Sequence, residues 1–248
     1  MEVHAHTHTA RKKWTHYFWE FLMLFLAVFC GFFAEYQLEH TIEHQREKEY
    51  IRSMIEDAKT DTANIRAAID FNLARISRLD SLAANCFNYI QTHSNDVDLI
   101  RLFYISLRHP DFVTPIERTM TQLKNAGGMR LIRRKIAADS ILQYDDFAKK
   151  LFNQQEWYEH MLRSIIEPGI QIFNFKHLPK RDLVTFKIAK PQLDSMTSIS
   201  NSKTSLIELG NRALLYRNIV MYYVTLLREG KMHAINLIQT LEREYHLK

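Results

Sequence analysis

Hydrophobic and polar positions follow two regimes along this chain. From Tyr17 to Ala34 the run YFWEFLMLFLAVFCGFFA is apolar on every side, with Glu20 its one charged residue. Beyond it the pattern turns periodic. Ile51, Ile55, Ala58, Thr62, Ile65, Ile69, Asn72, Ile76, Leu79, Ala83, Cys86 and Ile90 are spaced alternately four and three apart, with charges between them. That 3.5-residue period draws a single stripe along a helix. Thr62 and Asn72 are its polar members. The stripe can face a second copy or other helices of the same chain, and the apolar stretches that follow favour an intramolecular bundle.

Breakers mark the later elements. A break at Thr92–Asp96 precedes a helix over about Asp98–Arg108, and His109-Pro110-Asp111 is a turn. In Thr114-Pro115-Ile116-Glu117, Thr is placed as N-cap, Pro at the first helical position and Glu three after the cap, which predicts a helix start. Gly127-Gly128 predicts its left-handed end. A long helix is expected over about Leu131–Glu167, stopped by Pro168-Gly169. The stretch from Gln171 to Ser200 is irregular, with Val184–Ile188 a short strand or loop edge, and a last helix runs from about Ser202 to Tyr245, interrupted only at Gly210 and Gly230. The expected fold class is all-α: an N-terminal transmembrane helix continuing into a long-helix bundle or coiled-coil domain.

The apolar run is about 18 residues, so as a helix it rises roughly 27 Å, close to the thickness of a bilayer's hydrocarbon core. Trp14, Tyr17 and Trp19 flank one end and Tyr36 the other, where amphipathic rings favour the headgroup zone. A cleaved leader would need small residues near its end, but Gly31-Phe32-Phe33-Ala34 puts Phe at the critical spacing. Phe29 before Cys30 likewise breaks a lipoprotein signal. Arg11, Lys12 and Lys13 precede the run, whereas Glu35, Glu39 and Glu43 follow it before the first basic residue, Arg46. The positive-inside bias then puts residues 1–13 in the cytoplasm as a short tail, 14–36 across the membrane, and 37–248 outside as a helical extracytoplasmic domain. In a Gram-negative bacterium that is an inner-membrane protein with its main domain in the periplasm.

Composition supports long helices, since only 6 Gly and 5 Pro occur in 248 residues. The formal charge of +5 is mild and its signs are interspersed, so no nucleic-acid partner is expected. Cys30 and Cys86 are too far apart in the pattern to form a disulfide framework.

The segment Leu123-Lys124-Asn125-Ala126-Gly127-Gly128-Met129-Arg130-Leu131-Ile132 resembles the L-K-x-S/A-G-x-L-x-L-I motif of a family of uncharacterised single-pass membrane proteins abundant in Bacteroidetes. That family shares the layout of basic tail, membrane helix, charged helix, central motif and long C-terminal helix, over nearly the whole chain. Tyr36-Gln37-Leu38-Glu39-His40 departs from the polar Gln-Ile-Asn-Asn-Trp-like run common after its anchor. The resemblance implies a bacterial origin and a helical extracytoplasmic domain, and supplies no activity.

Candidate chemistry is thin. His4, His6 and His8 alternate in the tail, but a flexible tail lacks the outer shell that fixes metal ligands. His40 and His44 have the i, i+4 spacing of a zinc helix, yet Glu39 precedes His40 where the motif needs the Glu after it, so they read as a solvated collar. Asp145 and Asp146 are neighbours that do not face one another on a helix, so no catalytic pair is expected there, and Asp145, like His44, is expected in solvent. Gly127-Gly128 lacks the Lys-Ser/Thr of a phosphate loop. Arg130, Arg133, Arg134 and Lys135 form the densest basic cluster after the anchor, an anion or headgroup site or else a solvated helix end. Phe147, Phe152, Trp157 and Tyr158 are assigned to the core, and Glu20 either snorkels or pairs with a partner membrane helix.

No catalytic, cofactor-binding or metal-binding residue is assigned, and no enzyme activity or cofactor is expected. The expected partners are the lipid bilayer and a protein bound through the helices, or a second copy. The leading reading is a membrane-anchored helical scaffold or accessory subunit. The alternative is a ligand sensor that signals through its membrane helix to a partner, and an enzyme stands third.

Overall fold

Few breakers and long apolar periods give few, long helices, and the protein is all-α. The computed structural model describes residues 14–92, 96–106, 112–125, 127–174, 197–198 and 202–247. Five helices are among them: α1 (Trp14–Thr92), α2 (Asp96–Ser106), α3 (Arg118–Asn125), α4 (Lys135–Ile172) and α5 (Lys203–Tyr245). A 3-10 turn, Gly128–Leu131, links α3 to α4. Two two-residue strands, β1 (Phe173–Asn174) and β2 (Thr197–Ser198), pair antiparallel, Phe173 with Ser198. Val184–Ile188 and His109-Pro110-Asp111 lie outside the described residues, as do the tail histidines and the basic residues of the tail.

The chain divides into two units, Met1–Tyr50 and Ile51–Lys248. In the first, α1 carries a stretch of mean hydropathy 1.9, long and apolar enough to cross a membrane, none of it buried. Phe18, Leu24, Phe25, Phe29 and Phe33 are all more than half exposed. Glu20 pairs within the helix, its Oε1 lying 3.1 Å from His16 Nε2 one turn earlier.

In the second unit the stripe predicted along α1 turns inward. Ile51, Ile55, Ala58, Ile65, Asn72, Leu79, Ala83 and Cys86 are buried, and Thr62, Ile69, Ile76 and Ile90 half-buried. Its partners are helices of the same chain: Ile65, Leu79 and Cys86 share one core with Leu151, Tyr158 and Ile165 of α4 and with Ala213, Val220 and Leu227 of α5. Lys59 meets Glu242 and Asp80 meets Arg217, so α5 runs antiparallel to α1. Asp61 meets Tyr144 and Asn72 meets Tyr158, so α4 runs parallel to it.

Three local expectations need correction. The helix expected from Pro115 begins at Arg118, because residues 112–117 run as a non-helical strap whose backbone is bonded by side chains of the long helices. The helix expected to stop at Pro168 continues to Ile172. Proline cannot donate to the carbonyl four residues back. That carbonyl, on Ser164, instead accepts from Arg212 Nη1 of α5 at 2.6 Å, so the freed acceptor is satisfied and another turn forms. Finally, α5 is not interrupted at Gly210 or Gly230. Both sit in continuous helix as seats for rings: a methyl carbon added to Gly230 would lie 2.6 Å from Cε1 of Phe147, and one on Gly210 2.8 Å from Cζ of Phe87.

Gly127 does take the left-handed conformation, at φ 63°. It has open space around it, so the cost of substitution there is backbone strain rather than collision. Gly127→Val is expected to lose roughly 1 kcal/mol or more, since a β-branched residue fits that region worst, and the melting temperature should fall by a few degrees. Gly127→Asn should lose much less. Equal melting of parent and Gly127→Val by circular dichroism would show that α3 and α4 need no left-handed joint.

Candidate functional site

Polar side chains inside the bundle gather in two clusters, one above the other along α1. The first forms where the strap crosses the helices. Asp57 and Asp61, one turn apart on α1, are both buried. Asp61 accepts from the backbone N–H of Ile116, 3.0 Å to Oδ1, and from the Tyr144 hydroxyl, 2.6 Å to Oδ2. Asp57 accepts from Arg118 Nη2 at 2.6 Å, and from the Thr119 N–H and hydroxyl. From α1, Asp57 therefore does what a local cap would otherwise do, satisfying the Thr119 N–H in the first turn of α3, while Asp61 holds the strap at Ile116. The strap is gripped further along as well. Val113 N–H donates to the Tyr223 hydroxyl at 3.2 Å, and its carbonyl accepts from Gln155 Nε2 at 2.8 Å.

The second cluster surrounds Arg75, fully buried on α1. Its Nη1 donates to the hydroxyl of Tyr216 at 2.9 Å and lies 3.4 Å from that of Tyr158. Tyr158 in turn donates to Asn72 Oδ1 at 2.8 Å, and Asn72 donates to the Ala68 carbonyl. The guanidinium also sits 5.2 Å from the centre of the Phe71 ring. The Phe112 ring of the strap meets Tyr158 edge-on at 5.1 Å, which closes this cluster from above.

These environments govern what the groups can do. Burial pushes the hydroxyls of Tyr144 and Tyr216 far above the ordinary phenol value, and that of Tyr158 upward too, so all three act as neutral hydrogen-bonding groups. Burial likewise pushes the Cys86 thiol up to about 12, which keeps it from being a nucleophilic thiolate near neutrality. Asp61 is raised, chiefly by burial, with Asp57 adding to it and the bonds from Tyr144 and Ile116 opposing. A cluster of this kind is suited to fixing helices and strap in one register.

The residues singled out in the sequence are scattered. Asp145 is buried rather than solvated, with Lys124 and Lys149 each 2.6 Å from one of its oxygens. Burial raises its pKa, but the two ammonium groups outweigh that and hold it below the ordinary value. Asp146 is exposed and meets Lys149 at 3.4 Å. The aromatic stripe splits: Phe147 and Tyr158 are core, whereas Phe152 is 56% and Trp157 66% exposed, because they fall on the outer face of α4. Trp157 borders an open hollow of about 270 Å³ with Glu156 and His160. His44 Nδ1 lies 3.3 Å from Glu47 Oε2, and His40 packs its ring against Tyr36. Arg130, Arg133, Arg134 and Lys135 are exposed, with Arg134 set 5.4 Å over the Tyr245 ring and 3.6 Å from Glu244. Among the described residues no group of three or more His, Cys, Asp or Glu is placed to hold a metal ion.

Sequence reasoning passed over Asp57, Asp61, Arg75, Tyr144 and Arg212. A signal was present for three of them: Asp57, Asp61 and Arg75 each stand one residue before a stripe position, on its inner flank. No family model, no curated protein sequence and no solved structure matches the chain.

Proposed function

We propose that this protein is a membrane-anchored scaffold or accessory subunit, a helical module held at the outer face of a bacterial inner membrane to engage a protein partner. The observation that carries it is the contrast between the two units. One presents an apolar helical surface with nothing packed on it. The other uses buried Asp57, Asp61, Asn72 and Arg75 in bonds that fix its own helices and strap. Exposed apolar surface of that size in water is unfavourable, and a bilayer removes it. The acidic side chains after the span and the basic ones before it support a cytoplasmic N-terminus.

Topology is the direct test. A reporter that works only outside the cytoplasm should be active when joined after Lys248 and silent at the N-terminus. Replacing Arg11, Lys12 and Lys13 together by Glu should weaken that bias. Activity of a cytoplasm-specific reporter at the C-terminus would overturn both orientation and compartment. For the partner, cross-linking in intact cells before detergent extraction should give a defined heteromeric product that depends on residues 51–248; recovery of monomer alone would argue against the scaffold reading.

A further inference from the structure

The grip on the strap couples a titratable carboxyl to a backbone segment. Asp61 is fully buried and faces neutral donors, the Ile116 N–H and the Tyr144 O–H. Among the described residues no cation reaches it within ion-pair distance. Asp57 stands a turn away on the same face, and the nearby guanidinium, Arg118, is bound to Asp57 instead. Next along α4, Asp145 holds Lys124 and Lys149, and on the α5 side Glu242 holds Lys59. The cations around this corner are thus engaged with other carboxylates.

We propose that Asp61 makes the 112–117 strap a proton-responsive latch, docked more firmly when this carboxyl is neutral than when it is ionised. Two features of the geometry drive it. An ionised carboxylate here loses water and is repelled by Asp57, whereas a neutral one suffers neither. The bonds from Tyr144 and Ile116 favour the ionised form but are outweighed by burial, and protonation need not abolish them: Oδ2 can donate to the Tyr144 oxygen while Oδ1 still accepts from Ile116. If the strap lifts, Asp61 regains solvent and behaves as an ordinary aspartate, with a pKa near 3.8. Docked, it holds its proton to higher pH. Docking therefore takes up a proton in the window between those two values, so acid favours the closed latch and rising pH loosens it. This inference stands independently of the scaffold reading and of the orientation.

Hydrogen exchange on the full chain in detergent micelles, read by mass spectrometry, tests it. Uptake is followed in the peptide covering residues 112–121 from about pH 3.8 to about pH 7.5, with times scaled for the chemical exchange rate. A peptide from the middle of α5 reports on global stability. The strap peptide should lose protection several-fold as pH rises while the α5 peptide does not, and Asp61→Asn should remove that dependence. Asp57→Asn should keep the dependence but move it toward lower pH, which provides a second reading if Asp61→Asn fails to fold. A parent strap whose protection is flat, or grows with rising pH, would overturn the latch. So would a pH dependence that persists unchanged in Asp61→Asn, or a curve that Asp57→Asn leaves where it was.

Discussion

Gly169→Ala is expected to lower the melting temperature by roughly 6 to 12 °C, from a loss of about 3 kcal/mol. The sign is the informative part, since alanine inside a helix normally stabilises relative to glycine by about 0.5–1 kcal/mol. Here the added methyl would lie 1.9 Å from Cζ of Phe103. That ring is fully buried and leans on Phe173 at 4.9 Å between centroids, so it cannot swing away. The three ring seats should rank by closeness and by the freedom of the ring above them. Gly169 should suffer most, Gly230 at 2.6 Å from Phe147 next, and Gly210 at 2.8 Å from half-buried Phe87 least. Phe103→Leu combined with Gly169→Ala should recover part of the loss, a coupling that a double-mutant cycle measures. Thermal melts in which Gly169→Ala equals or exceeds the parent would show that Phe103 does not fill that seat.

The second large effect belongs to Asp57. Asp57→Ala removes the acceptor for the Thr119 N–H, the Thr119 hydroxyl and Arg118 Nη2 at once. Thr119 is itself buried, so its donors would be left without water or partner. Losing a cap costs about 1 kcal/mol, and orphaning buried donors about 1–3 kcal/mol more, for an expected total of roughly 2–4 kcal/mol. Asp70 provides the control, since it lies exposed on the same helix and Asp70→Ala should change stability by less than about 0.5 kcal/mol. Chemical denaturation of the two variants beside the parent decides the matter. Similar midpoints for Asp57→Ala and Asp70→Ala would mean that α3 is capped by something other than α1.

Periodicity and breakers carried most of the architecture. The stripe from Ile51 to Ile90 buries as its spacing demands, Ser202 caps α5 where the sequence places the helix start, and Gly127 is left-handed. Those features are local, so a local pattern can encode them. The errors occurred where a distant side chain replaced a local device. Thr114 and Glu117 form a plausible capping box on their own, but the Ile116 N–H it would serve is taken by Asp61, 55 residues earlier in the chain, and the helix that forms starts later, with Asp57 bound to its Thr119 N–H. Pro168 is a sound stop signal unless something satisfies the carbonyl of Ser164, and Arg212 does so from another helix. The same limit hid the polar clusters. Arg75 in a charged helix looks like any solvated arginine until Tyr158 and Tyr216 are brought beside it. Phe152 and Trp157 failed differently, because their spacing from Phe147 and Tyr158 suits a helix but rotates them to the outer face.

The capping of α3 from α1 also bears on the order in which the chain can fold. With eight residues, α3 is well below the length at which an isolated helix persists in water. In its first turn the N–H and hydroxyl of Thr119 find their acceptor, Asp57, across a sequence separation of 62 residues. The loop between must close before any of those bonds forms, so α3 cannot serve as an early nucleus. Its formation reports that α1 and the strap have already met, and substitutions confined to it act on the rate of unfolding rather than of folding.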